Sequence, residues 1–436
     1  MLPTRRLLLV LLAPALLLAL GNLDATFLAL ALLALLAALG AVGLDWSLLV
    51  RPGTITVRRR HEPRLSLGAD NLIQLDVANG GPRPLRFVLR DGTPPDCRAS
   101  ALYLAGSAPP GGSTTLRYTL RPLRRGDHQF GDAVLRWDGP LGLVRRQATV
   151  PLAEPVKVYP NLLELRKYDL LARRGRLQEA GLRAARRFGT GTEFESLREY
   201  QPDDDYRRIN WKATARRGRP MTAEFETERS QNVLAVLDAG RLMATEVGGL
   251  TKLDHALNTS LMLAYVAALR GDRVGLLAFS DRVLAYLPPR RGRRAFLAML
   301  ATLYNLAPEP VEPDFDRAFQ FLATRQMRRS LLVLFTDLTD RDASSALVRH
   351  LARLARQHLA VCVTLADPVV LAAATATPTT TAAVYERVVA ARLLEERAEV
   401  LGALRQRGVI TLDVPADRLT VAVVNKYLEL KARTQL

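Results

Sequence analysis

Cysteine, histidine and lysine are all scarce in this 436-residue chain. The two cysteines, Cys97 and Cys362, stand far apart and in different predicted domains, which argues against a disulfide framework and a cysteine zinc site. The histidines at 61, 128, 255, 350 and 358 never fall at His-x-x-x-His or Glu-x-x-His spacing, so a histidine metal centre is not expected. No Gly-x-Ser-x-Gly elbow or paired Cys/His nucleophile is present. Gly189-Thr190-Gly191-Thr192 lacks the Gly-Lys-Ser/Thr of a phosphate loop. Lysine supplies only six of the 61 basic residues, so the formal charge of +18 is carried by arginine. In an Ala- and Leu-rich chain that pattern reflects a GC-rich genome more than a binding surface, and no specific nucleic-acid partner is expected.

What is present begins with two uncharged apolar runs, 7–23 and 25–44, separated by a short polar break. The second reaches the ~20 residues needed to cross a bilayer and the first is at the short end of the range. Arg5 and Arg6 precede the runs, and Arg51, Arg58, Arg59 and Arg60 follow them. By the positive-inside rule, 1–45 is expected to be a transmembrane helical hairpin in the inner (cytoplasmic) membrane, with two spans and the soluble domains facing the cytoplasm. A signal peptide is the competing reading of the first run, but no small-residue cleavage site stands out after it.

From 46 to 160 short alternating runs punctuated by Gly and Pro suggest an immunoglobulin-like β-sandwich; 73–77 and 115–120 alternate most clearly. Arg125-Gly126-Asp127 reads as a hairpin turn, and a turn is also expected at Asp138-Gly139-Pro140-Leu141-Gly142-Leu143. The arginine-rich 162–188 reads as helical with a solvated face.

The stretch 189–217 packs six acids and six bases around four aromatics. That is too polar for a core segment and too aromatic for a disordered one. Pro202 and the three aspartates after it signal a helix over 205–217, with Ile209 and Ala213 on one face and Trp211 nearly opposite, as though gripped from two sides. Gly189, Gly191, Glu193, Phe194, Leu197, Arg198 and Tyr200, then an acidic step, then Arg207, Ile209, Trp211, Ala215 and Arg216 form a motif. It resembles the signature of the domain-of-unknown-function 58 family. The resemblance implies a bacterial membrane-anchored protein with a von Willebrand factor A-like domain and a MoxR-type AAA+ ATPase as partner. Gly191, Glu193, Phe194, Leu197, Arg198, Tyr200, Asp205, Arg208, Ile209, Trp211 and Arg216 are then candidates for an interaction or structural motif. Phe194, Tyr200, Asp205, Arg208, Trp211 and Arg216 are expected to lock it against the last domain.

From 231 to 436, after connecting segments over 161–230, apolar strands at 233–238, 273–279, 331–337, 360–365 and 409–414 alternate with helical patterns. The expected fold is a doubly wound α/β domain of von Willebrand factor A-like type, with 372–382 a loop. Asp238 and Asp337 end two of the strands. Domains of this fold hold Mg²⁺ with Asp-x-Ser-x-Ser, because a hard cation wants several oxygens. Here Gly240 and Leu242 replace both serines, and Asp314 stands near the place of the usual Thr. No cofactor is expected, and Asp238, Asp337 and Asp314 make at most a degenerate Mg²⁺ site, with Arg241 at hand to neutralise a carboxylate. The expectation is a non-enzymatic adaptor or chaperone-like protein acting in assembly or maturation of other proteins. The alternative is a metal-dependent hydrolase using these carboxylates, or Asp203, Asp204 and Asp205 with Glu193 or Glu195 and Lys212.

Overall fold

The computed structural model describes residues 2–21, 24–161, 193–201, 206, 209–226, 230–326, 328–338 and 344–432. The expected helical region at 162–188 lies outside them. The chain divides into two compact units, 1–162 and 163–436.

In the first unit, α1 (Arg5–Leu20) and α2 (Ala25–Leu48) expose leucines around most of their circumference. Helices apolar all round suit a lipid rather than an aqueous surrounding. Among the described residues only α2, continued by the turn to Thr54, is long and apolar enough to cross a membrane. The 16 residues of α1 reach roughly 24 Å, short of a ~30 Å hydrocarbon core.

Among the described residues two sheets follow. One runs in the order β2 (Ile55–Arg60), β4 (Asn71–Asn79), β8 (Ser113–Pro122), β6 (Cys97–Ala99). The other places β1 (Leu2–Pro3), β10 (Val144–Val150), β9 (Gly126–Asp138), β11 (Glu154–Tyr159) and β3 (Arg64–Ser66) in a row, with β5 (Leu85–Gly92) beside β9 and β7 (Leu104–Ala108) beside β5. Alternation decides the faces: Ile73, Leu75 and Val77 of one sheet and Phe87, Leu89, Leu135 and Trp137 of the other are buried. Arg59, expected to flank the membrane, instead lies in this core. Its Nε donates to Asp91 Oδ2 at 3.1 Å, Tyr118 Oη donates to the same oxygen at 2.6 Å, and its guanidinium sits 4.3 Å from the Phe130 ring centroid.

The end of α2 is built into the second sheet. Fully buried Asp45 accepts N–H groups from Leu141 (2.8 Å), Leu143 (2.8 Å) and Val144 (2.9 Å), so the 138–143 turn wraps its carboxylate. Trp137 Nε1 donates to Val50 O at 3.1 Å, and Thr4 Oγ1 to Gly142 O at 2.6 Å.

In the second unit β12 (Glu193–Glu199) pairs antiparallel with β13 (Met221–Glu226), and α3 (Trp211–Arg217) lies between them in sequence. The main sheet has the order β18 (Val283–Arg291), β17 (Arg273–Phe279), β14 (Asn232–Asp238), β19 (Leu331–Phe335), β20 (Leu359–Ala366), β21 (Ile410–Pro415), parallel except for β18. A two-residue ladder, β15 (Glu246–Val247) with β16 (Leu250–Thr251), precedes α4 (Lys252–Leu269). The remaining helices are α5 (Arg293–Tyr304), α6 (Phe315–Arg325), α7 (Ser345–Leu354), α8 (Pro368–Thr375), α9 (Thr381–Gln406) and α10 (Ala416–Ala432). One sheet face is covered by α6, α7 and the C-terminal half of α9, whose Phe319, Leu322, Leu351 and Leu404 pack on Leu234, Leu332 and Cys362. Apolar burial on both faces explains the near-continuous Val/Leu strands.

The loop expected at 372–382 is corrected: Thr375 ends α8 and Thr380 caps α9, so only 376–380 connects two helices. Ala has the highest helix propensity, and packing of α8 on α9 outweighs the Thr content. The edge strand β18 carries two prolines and alternates weakly, which hid it from the sequence pattern.

Candidate functional site

Sheet order reverses between β14 and β19, the first and fourth strands of this sheet in sequence. In open α/β sheets the crevice at such a switch point, outside the carboxyl ends of the strands, is where ligands bind. Asp238 ends β14, and Thr336 and Asp337 follow β19, so the expected pair of carboxylates does stand there. What surrounds them was not expected.

Lys252, the first residue of α4, places Nζ 2.6 Å from Asp337 Oδ2 and 3.9 Å from Asp367 Oδ2. Arg397 of α9 donates Nη1 to Asp337 Oδ1 at 2.6 Å and Nη2 to Asp413 Oδ1 at 2.9 Å and to Leu365 O at 2.8 Å. Thr364 Oγ1 adds a 2.8 Å bond to Asp413 Oδ1. Side chains of Lys252 and Asp337 are each only 6% exposed. Two cations thus hold both oxygens of Asp337 in a buried network that ties α4, α9 and three strand ends together.

Asp238 is satisfied separately: Gly240 N–H reaches Oδ1 at 2.7 Å and Thr336 Oγ1 reaches Oδ2 at 2.6 Å. Burial pushes its carboxyl up to about 6, the two hydrogen bonds oppose the rise, and the Asp337 and Glu312 charges add to it. In the unfolded chain the same group titrates near 3.8. The folded state therefore holds an extra proton between those values. Its stabilising contribution is complete below about pH 3.8 and lost as pH rises through about 6, a swing of roughly 3 kcal/mol. Asp238→Asn is expected to flatten that part of the stability–pH curve and to melt at or above the wild type at pH 7.5. Thermal melts from pH 4.5 to 7.5 check this, and an unchanged slope in the variant would refute it.

These donors do not fit a resident Mg²⁺. Asp337 is committed to an ammonium and a guanidinium, and Asp314 caps α6 by accepting Arg317 N–H at 2.8 Å. The carboxylate that Arg241 pairs with is that of Glu312. Among the described residues no cluster of three His, Cys, Asp or Glu side chains could hold a metal ion. Lys252 and Arg397 escaped sequence reading. The single signal for Lys252 is its position inside the capping box of Thr251 and Asp254, since the positive helix N-terminus disfavours a lysine there.

The charged motif folds differently from expectation. The helix starts at Trp211, not 205: Ile209 bridges to Thr222, Asn210 N–H bonds Met221 O at 2.8 Å, and the Asn210 side chain caps Ala213 N–H at 3.0 Å. A backbone ladder here outcompetes another helical turn. Gly218, in the left-handed region at φ 65°, closes the helix. Glu193, Phe194, Leu197 and Arg198 lie on β12, and Tyr200 N–H bonds Pro220 O at 2.9 Å. Trp211 is 70% exposed and Arg216 is also exposed, so neither is gripped by a neighbouring element. Gly191, Asp205 and Arg208 lie outside the described residues, as do Asp203 and Asp204 of the hydrolase alternative.

A further feature rises from the same sheet edge. On α9, Val384, Tyr385, Val388, Val389 and Leu393 are exposed at spacings of one, three and four residues, and Val369 and Leu371 of the adjoining α8 are exposed as well. Such a stripe is one helical face. Asp367, which caps α8 through Val369 N–H at 2.9 Å, and Arg397, in the middle of α9, belong to the buried network.

Residues 196–372 match the model of the family described as Protein of unknown function DUF58. The chain is similar to uncharacterized protein YeaD of Bacillus subtilis strain 168, 33% identical over 236 residues, covering 51% of this chain and 56% of that protein. It is also similar to uncharacterized protein Rv1480 of Mycobacterium tuberculosis, 27% identical over 182 residues, covering 41% and 56% respectively. The chain thus spans about half the length of the curated relatives it matches. Among solved structures, conserved hypothetical protein BatB from Bacteroides thetaiotaomicron covers 47% of this chain and all of its own, at 13% identity and a TM-score of 0.34.

Proposed function

We propose that this member of the DUF58 family is a membrane-anchored, non-enzymatic adaptor that works with a MoxR-type AAA+ ATPase in assembly or maturation of other proteins. Two spans, α2 and the shorter α1, which needs a locally thinned bilayer to cross, would hold it in the inner membrane with its immunoglobulin-like sandwich and von Willebrand factor A-like domain in the cytoplasm. The parallel sheet with one antiparallel edge strand supports the latter fold reading, and the arginines at 5, 6 and 51 support the orientation.

The observation that carries the adaptor reading is the exposed apolar face of α8 and α9, held up by a crevice whose charges are satisfied internally. A contiguous apolar surface on a folded domain marks an interaction site. The switch-point crevice here anchors that surface rather than offering oxygens to a metal. The occupant, an ATPase, comes from the family resemblance of the 189–217 motif. Trp211, exposed at the start of α3, is a second contact candidate.

The test is an affinity pull-down of the detergent-solubilised chain from its own cells, with and without ATP, read by mass spectrometry. An AAA+ ATPase recovered with wild type is expected to be lost with Tyr385→Glu and Val389→Glu, with melting temperatures unchanged because both side chains are already exposed. Trp211→Ala is expected to reduce recovery with no loss of stability. Recovery of no ATPase under either nucleotide condition, or full recovery with the glutamate variants, would sink the proposal.

A further inference from the structure

Where α1 begins and α2 ends, the first unit contains a cleft of about 950 Å³. Five arginines line it: Arg5 and Arg6 in the first turn of α1, Arg83 before β5, Arg86 on β5 and Arg145 on β10. Asp138 is the one carboxylate among the lining side chains. It is taken by Arg145, with Nε–Oδ1 at 2.6 Å and Nη2–Oδ2 at 3.0 Å. Arg83 Nη1 donates to Leu48 O at 2.8 Å, at the end of α2. Arg5, Arg6 and Arg86 are exposed and have no ion pair among the described residues. Three arginines without an ion pair among the described residues therefore border one cleft, from a helix end and a sheet, together with buried Leu49, Val50 and Leu85.

Topological sorting in the membrane accounts for Arg5 and Arg6 but says nothing of Arg83 and Arg86, which belong to the sandwich. Like charges gathered on separate elements repel unless an anion sits between them. Guanidinium forks suit a phosphate, which they bind through paired N–H donors. The cleft also lies where the apolar helices end, the depth of lipid headgroups if α2 spans the bilayer.

We infer that this cleft binds the phosphate of an anionic glycerophospholipid, with Arg5, Arg6 and Arg86 on the phosphate and the apolar floor against the glycerol end of the chains. The inference rests on the membrane-anchoring part of the proposed function. The site would seat the sandwich against the membrane surface and make its attitude dependent on anionic lipid.

The full chain, purified in an uncharged detergent, would be titrated with phosphatidylglycerol, phosphatidylcholine or inorganic phosphate, reading melting temperature and lipid retained by native mass spectrometry. Phosphatidylglycerol is expected to raise the melting temperature saturably and to be retained. Arg86→Gln is expected to weaken this about fivefold, roughly the effect of one basic residue at a membrane surface, without changing the lipid-free melting temperature. Arg86 is exposed and outside the α1 sequence, so neither folding nor insertion confounds it. Equal response to phosphatidylcholine, or undiminished binding by Arg86→Gln, overturns the assignment. A stabilisation reproduced by inorganic phosphate alone assigns the cleft to a soluble anion and overturns the lipid. Carbonate extraction of cell membranes separates the two layers of argument. A chain released as soluble removes anchoring and the lipid site together, whereas a retained chain without preference for phosphatidylglycerol removes the lipid site only.

Discussion

Lys252→Met is expected to cost roughly 3–5 kcal/mol of stability in the second unit, because it leaves Asp337 buried with one of its two cationic partners gone. The cost comes from the carboxylate left behind more than from the lost contact. Adding Asp337→Asn should therefore recover a large part of it, since the remaining group no longer has to be charged. A double-mutant cycle by chemical denaturation measures this, and a coupling near zero would show that the two side chains do not share the network. The same substitution loosens the base of α8, through the 3.9 Å approach of Lys252 to Asp367. If the exposed face of α8 and α9 docks the ATPase, Lys252→Met should also reduce its recovery, even at temperatures where the variant remains folded.

Gly139→Ala should damage the first unit severely. A Cβ at this position would lie 2.2 Å from Asp45 Oδ1 and 2.4 Å from its Cγ. Something has to move, and whichever does breaks bonds from Leu141, Leu143 or Val144 to a carboxylate with no access to water. Overpacking plus unsatisfied buried donors amounts to roughly 3–5 kcal/mol. Gly142, three residues on, supplies the internal comparison. Its φ of +70° strains any side chain, but that penalty is only about 1–2 kcal/mol. The order of melting temperatures should thus be wild type, then Gly142→Ala, then Gly139→Ala. The reverse order would mean that Asp45 does not organise the turn. Since Asp45 belongs to α2, Gly139→Ala should also uncouple the apolar helix from the sandwich, visible as new protease cleavage near 48–54.

The physical origin of each success and failure is local. The strand read at 233–238 was found at Asn232–Asp238, and that at 273–279 was found at Arg273–Phe279, because a strand buried on both faces has to be continuously apolar. The helix read at 205–217 shrank to Trp211–Arg217, since Ile209 and Asn210 found backbone partners on β13 that no propensity scale can anticipate. Arg59 was read as a membrane flank from its place in a basic run. Only the sandwich core, which brings Asp91 and Phe130 to it, shows otherwise.

The amino-acid sequence by itself determined the apolar N-terminal segment, the division into β-rich and α/β regions, and the presence of carboxylates at the ends of two strands. Those properties follow from composition and from periods of two and 3.6 residues, which act over neighbouring positions. Tertiary structure alone decided what the carboxylates do. Lys252 meets Asp337 across 85 positions and Arg397 meets it across 60, so the charges that neutralise the crevice arrive from helices remote in sequence. The arginine-lined cleft has the same origin, joining residues 5, 6, 83, 86 and 145. A charge shows its sign in the sequence, whereas its partner is set by which chain segments the buried core forces together.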